Sequence, residues 1–164
     1  MSRLFFLGFL TSLLALAAPP ARAQRVAVLK LPDLQRRLAR PTDTTYVVNF
    51  WATWCGPCVQ ELPGFEQVRA ASAGRKVKFL LVSLDYLSQL DKKVKPFVAR
   101  RNLRAEVALL NEPDPNTWLA SVDSQWSGAI PFTLIFNNNA HQRATYEQPL
   151  TAAELTAALA KFPQ

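Results

Sequence analysis

Only two cysteines occur in the 164 residues, and they sit three apart in Trp54-Cys55-Gly56-Pro57-Cys58. Two thiols at this spacing can pass a disulfide back and forth, and a staple for stability is a poor alternative. In the chain-entropy account, cross-linking a 15-residue loop stabilises by about 3 kcal/mol, whereas a four-residue loop gives roughly 2 kcal/mol before strain. A stabilising bridge would join distant segments. This pair points to redox exchange.

Metal binding is disfavoured on ligand count. Zinc takes four ligands and C-x-x-C offers two; the single histidine, His141, is expected in an exposed hairpin turn. Covalent haem attachment needs a histidine after the second cysteine, where this chain has Val59. No metal site and no cofactor beyond the Cys55–Cys58 disulfide is expected.

The surrounding elements alternate between strand and helix. Val26 to Leu29 predicts a short strand and Pro32 to Arg40 a short helix. Thr44 to Trp51 is a continuously apolar, buried-type strand. A helix then starts around the cysteines, runs through Val59, Leu62, Phe65 and Val68, and ends at Gly74. Lys76 to Leu84 and Val107 to Leu110 read as further strands. Ser88 to Arg101 reads as a helix that Pro96 begins or kinks, and Pro113 to Val122 as turns followed by a helical stretch. Phe132 to Phe136 and Gln142 to Glu147 form a hairpin about Asn137-Asn138-Asn139, and Thr151 with Glu154 makes a capping box for the last helix.

On this frame Cys55 stands where a helix begins, so its thiolate faces unpaired N–H groups and the positive end of the helix dipole. Cys58, one turn on, is placed to resolve a mixed disulfide. Gly56 and Pro57 shape the turn and leave the first thiol open; Pro57 forgoes an N–H that the first turn does not use. Trp51 is expected in the core or as a shelf, and Trp54 beneath the site, where it restricts solvent. Trp126 has two readings, groove wall or buried aromatic.

The N-terminus reads as a leader. Arg3 precedes an apolar run from Leu4 to Ala18, and Ala21-Arg22-Ala23 is a small-x-small cleavage pattern. The run falls short of the ~20 residues that span a bilayer, which disfavours the alternative of an uncleaved anchor. Residues 1–23 are thus expected to be a signal peptide and residues 24–164 one domain, exported to the periplasm or another extracytoplasmic space. Without Arg3 and Arg22, the formal net charge of +7 falls to +5. The remaining basic residues are scattered in short groups, so solvated helix faces are expected and nucleic acid is not a partner.

The string Phe50-Trp51-Ala52-Thr53-Trp54-Cys55-Gly56-Pro57-Cys58, with Ala129-Ile130-Pro131-Phe132-Thr133 far downstream, resembles thioredoxin-fold proteins. Cys55-x-x-Cys58-x-x-Glu61-x-Pro63 after a leader is similar to the TlpA/ResA-like extracytoplasmic thiol–disulfide oxidoreductases. The resemblance covers residues 26–162. It implies an α/β thioredoxin fold, with a central mixed β-sheet flanked by helices and an N-terminal strand and helix added.

It also implies that Ile130-Pro131 is a cis-proline segment facing the cysteines and offering backbone to a substrate, beside Trp54, Gly56 and Pro57. Pro63 matches the proline that kinks the active-site helix. Where thioredoxin has a buried Asp, this chain has Asn49, which cannot titrate. Glu61, on the Cys58 face of the helix, matches the glutamate that handles that thiol's proton in ResA-like proteins; the alternative for Glu61 is a solvated first-turn glutamate.

The leading expectation is a monomeric reductant of protein disulfides, apocytochrome c cysteines among them, recharged by a membrane thiol donor. An oxidase or isomerase of secreted proteins, or a noncatalytic binding module on the same fold, are the alternatives. A peroxidase is disfavoured by the adjacent resolving spacing and the absence of the expected surrounding motif.

Overall fold

The computed structural model describes residues 25–163; the leader read over residues 1–23 lies outside them. β2 (Thr45–Trp51) is buried at six of its seven residues, as its unbroken apolar run requires. It pairs in parallel with β3 (Val77–Ser83) and antiparallel with β5 (Phe132–Asn137). β4 (Glu106–Leu110) continues the parallel part beyond β3, and β1 (Ala27–Leu29) closes that edge. β6 (Gln142–Tyr146) pairs antiparallel with β5 at the other edge. The order β1-β4-β3-β2-β5-β6 makes the mixed sheet expected from the sequence, with the N-terminal strand and helix in place.

Because strand side chains alternate between faces, the sheet carries two cores. Val47 and Trp51 of β2 point to the side covered by α2 (Gly56–Ala71), α3 (Lys95–Arg100) and α5 (Ala152–Leu159). Val48 and Phe50 point to the side of α1 (Leu31–Ala39) and α4 (Leu119–Val122). The second core is aromatic. Phe50 lies 4.8 Å, centroid to centroid, from Trp126, which stacks on Phe132 at 4.2 Å.

The single helix expected over Ser88 to Arg101 is not formed. A 3-10 turn at Leu87–Gln89 leads into a π-type turn at Leu90–Val94, and only then into α3. Pro96 explains the change. It has no N–H, and in a regular helix its ring would strike the carbonyl of Lys92. The wider turn, in which the Lys95 N–H donates to the Leu90 carbonyl, avoids both problems.

The capping box on α5 forms as read: the Glu154 N–H donates to Thr151 Oγ1 and the Thr151 N–H to Glu154 Oε2. Thr151→Ala is expected to lower stability by about 1 kcal/mol, measured as a shift of the urea midpoint at unchanged slope. No shift would mean that the packing of Leu155 and Leu159 alone fixes α5.

Candidate active site

β2 delivers the chain to the site. After Trp51 the backbone turns, and Cys55 takes an extended conformation (φ −87°, ψ 103°) as N-cap of α2. Its Sγ accepts from the Cys58 N–H at 3.3 Å. The two cysteines are joined as a disulfide. Cys58 is fully buried and Cys55 is 6% exposed, so a partner's sulfur reaches Cys55 first. Gly56 and Pro57 form the exposed first turn of the helix. A Cβ on Gly56 would meet nothing within 4 Å. Gly56 therefore answers no steric need inside the protein and keeps the face of the disulfide bare.

The Ile130–Pro131 peptide bond is cis, and the Ile130 carbonyl oxygen lies 3.7 Å from Cys55 Sγ. Three groups fix this segment. Trp126 donates its indole N–H to the Ala129 carbonyl at 2.8 Å. Glu147, past the end of β6, accepts from the Ser127 and Ala129 N–H groups. Gly128 has φ +95°, a backbone region that side chains rarely occupy. Of its two readings Trp126 is thus the buried aromatic, at 6% exposure.

Glu61 sits in the second turn of α2, buried at 6% exposure. It is not the solvated first-turn glutamate of the alternative reading. Its Oε1 accepts from Asn49 Nδ2 at 2.8 Å and its Oε2 from the Leu150 N–H at 2.8 Å. Asn49 also donates to Thr133 Oγ1, its cross-strand neighbour on β5. Burial pushes the Glu61 pKa up to about 7, against the pull of the Leu150 and Asn49 hydrogen bonds. A carboxyl half-ionised at neutral pH is suited to take and return a proton.

The expectation for Trp54 fails. It does not pack beneath the site but stands 62% exposed, while Trp51 fills the core at 0%. The turn between them is held by the buried Asp85, which accepts from the Thr53 N–H and hydroxyl and from Ser83 Oγ. That clamp turns Trp54 outward. Asp85, Thr133 and Leu150 were missed as site residues because each meets the motif only through long-range contacts. The buried aspartate at the end of an apolar strand was the one available signal.

Comparisons with known proteins bear on the family and the fold. The AhpC/TSA family model matches residues 22–146. A thioredoxin of Malassezia sympodialis is 46% identical over 32% of this chain and 50% of its own length. Sporulation thiol-disulfide oxidoreductase A of Bacillus subtilis is 26% identical over 66% of this chain and 62% of its own. The chain thus spans less than two thirds of either relative. Among solved structures, a thiol:disulfide interchange protein of the thioredoxin family from Chlorobium tepidum superposes with a TM-score of 0.60. It is 24% identical, over 73% of this chain and 80% of that one, and shares the fold.

Proposed function

The chain belongs to the AhpC/TSA family, and from that premise and the site we propose that it is a thiol–disulfide oxidoreductase acting on protein substrates. One observation carries the reading: a solvent-edge sulfur, Cys55, caps a helix directly over a buried sulfur, Cys58, with a titrating carboxyl, Glu61, on the same helix.

In the reduced protein, the N–H groups of the first turn of α2 stabilise the Cys55 thiolate. That thiolate attacks one sulfur of a substrate disulfide; a Cys55–substrate bond forms and the other substrate sulfur leaves as a thiolate, which takes up a proton. Cys58 then gives its proton to Glu61 and attacks Cys55 Sγ. The mixed disulfide breaks, the Cys55–Cys58 bond forms, and the second substrate sulfur leaves and is protonated. Two electrons have passed from the dithiol to the substrate. An external dithiol must supply two more for the next cycle.

The finer reading is an exported reductant, recharged by a membrane thiol donor, with apocytochrome c cysteines as a substrate class. The leader pattern of residues 3–23 and the Gly-Pro dipeptide between the cysteines support it. The equilibrium potential of the Cys55–Cys58 couple in defined thiol buffers is the test, with about −250 mV or lower expected. A value near −120 mV would reverse the direction and make the protein a disulfide donor.

A further inference from the structure

The basic residues that the sequence scatters in short groups are partly gathered by the fold. Arg69 of α2, with Arg100, Arg101 and Arg104 at the end of α3 and in the turn after it, line one groove of about 580 Å³. Val59 and Pro63 of α2 give it an apolar side.

The one carboxylate in the groove is engaged within the protein. Glu66 Oε1 accepts from the Arg104 and Ala105 N–H groups at 2.7 and 2.8 Å, and Oε2 from Arg69 Nε at 2.7 Å. Glu66 thus ties the turn after α3 to α2 and neutralises Arg69. Three exposed guanidinium groups are left over. Arg100, Arg101 and Arg104 pair with no carboxylate among the described residues. Arg101 is steadied by the Phe97 ring, whose centroid lies 5.6 Å from its Cζ. The C-terminal end of a helix favours cations, but that accounts for their place in the chain and not for a groove whose other wall is α2.

Position and chemistry together name the occupant. The groove begins at Val59, the residue after Cys58. A helix rises about 1.5 Å per residue, which puts Val59 about 6 Å and Glu66 about 16 Å along α2 from Cys55. A protein joined to Cys55 therefore stands beside the near end of the groove. Guanidinium groups take carboxylates in charge-assisted, paired hydrogen bonds. The large apolar side chains exposed among the described residues, Val28, Trp54, Tyr86 and Leu87, all lie outside the groove, so it offers nothing to insert into a lipid surface. The geometry points to a docking groove for an acidic polypeptide segment of the protein that exchanges with Cys55, about five extended residues from that protein's reactive cysteine. This rests on the exchange reading above and adds to it the charge of the partner.

Four glutamates at that distance are expected to speed exchange about tenfold over four glutamines at low salt. That is about 1.4 kcal/mol, within the reach of three ion pairs at a protein surface. Salt should remove it, because the screening length falls from about 10 Å at 0.1 M to about 3 Å at 1 M.

The test uses the reduced full chain and peptides whose single cysteine is blocked as a mixed disulfide with 2-mercaptoethanol. A five-residue Gly/Ser spacer separates that cysteine from the glutamate or glutamine tail, placed on either side in turn. On the better side the glutamate peptide should react about tenfold faster at about 0.05 M salt and less than about twofold faster at about 0.5 M. Arg100→Gln/Arg101→Gln/Arg104→Gln should bring the low-salt ratio below about 2. Arg100→Gln/Arg104→Gln, which spares the Phe97 contact, replaces it if the triple variant unfolds. Arg36→Gln/Arg40→Gln/Lys78→Gln removes the same charge from the α1 side of the sheet and should keep the ratio. Equal rates in the wild-type chain, a ratio that survives the groove substitutions, or one lost equally in both triple variants would overturn the groove. Arginine-dependent sedimentation with phosphatidylglycerol vesicles, beside equal peptide rates, would give the surface to a membrane instead.

If neither peptide exchanges at all, it is the oxidoreductase reading that fails. The groove is then judged by binding alone, from the fluorescence anisotropy of labelled tetraglutamate and tetraglutamine peptides. Tighter binding of tetraglutamate that needs the three arginines supports it; equal affinities overturn it.

Discussion

Cys55→Ser is expected to abolish turnover, by at least on the order of 10³-fold, the scale of losing a covalent nucleophile. Cys58→Ser is expected to stop at the first half of the reaction and accumulate a mixed disulfide with the substrate. The asymmetry follows from burial. Cys55 Sγ lies at the solvent edge beside the Ile130 carbonyl, while Cys58 is fully buried in the core behind it. A substrate disulfide therefore reaches the first sulfur and not the second. Both variants also lose the short cross-link, which costs roughly 2 kcal/mol, so each needs a denaturation curve beside its rate. Mass spectrometry of the reaction mixtures decides the order of attack. A trapped adduct on Cys58 in the Cys55→Ser protein, and none on Cys55 in the other, would invert the assignment.

The contrast between Trp51 and Trp54 shows what a linear sequence carries and what it does not. The apolar run of β2 announces a buried strand, and Trp51 at its end inherits that burial. Trp54 lies past the strand, where the chain's direction depends on Asp85, more than thirty residues away at the end of β3. No local period records such a contact. The same holds for Glu61. Its place on the Cys58 face was legible from helical spacing, but its protonation is set by burial under the folded chain, against the pull of the Leu150 N–H from the loop before α5 and of Asn49 on β2. By contrast, the Thr151–Glu154 box and the cysteine helix cap are local and were legible in full. The π-type turn before α3 fell between these cases: Pro96 signalled a break without saying which wider turn would absorb it.

Glu61→Gln is expected to flatten the pH dependence of both stability and the resolving step. Burial raises the folded pKa from 4.5 to about 7, so the folded protein holds this proton where the unfolded chain releases it. The resulting stability is fully present below about pH 4.5 and is lost as pH rises through 7. Allowing for partial solvent screening, the loss is roughly 2 kcal/mol. Asp43 and Glu154 act oppositely and at lower pH. Their pKa values are depressed by Lys76 and by Thr151, so they weaken the fold only as pH falls. Glutamine fits the site because Asn49 Oδ1 is buried without a hydrogen-bond partner among the described residues. Turning the Asn49 amide over presents that oxygen to the N–H₂ group of the introduced side chain, whose own oxygen keeps the Leu150 N–H. Urea titrations of the oxidised protein from pH 4 to 9 should show the wild-type decline and a flat variant. Single-turnover kinetics should lose an inflection near pH 7 in the step where Cys58 attacks. A wild-type stability that is level through pH 5–7 would mean that Glu61 stays ionised throughout. An inflection that persists in the variant would move the proton transfer to another group.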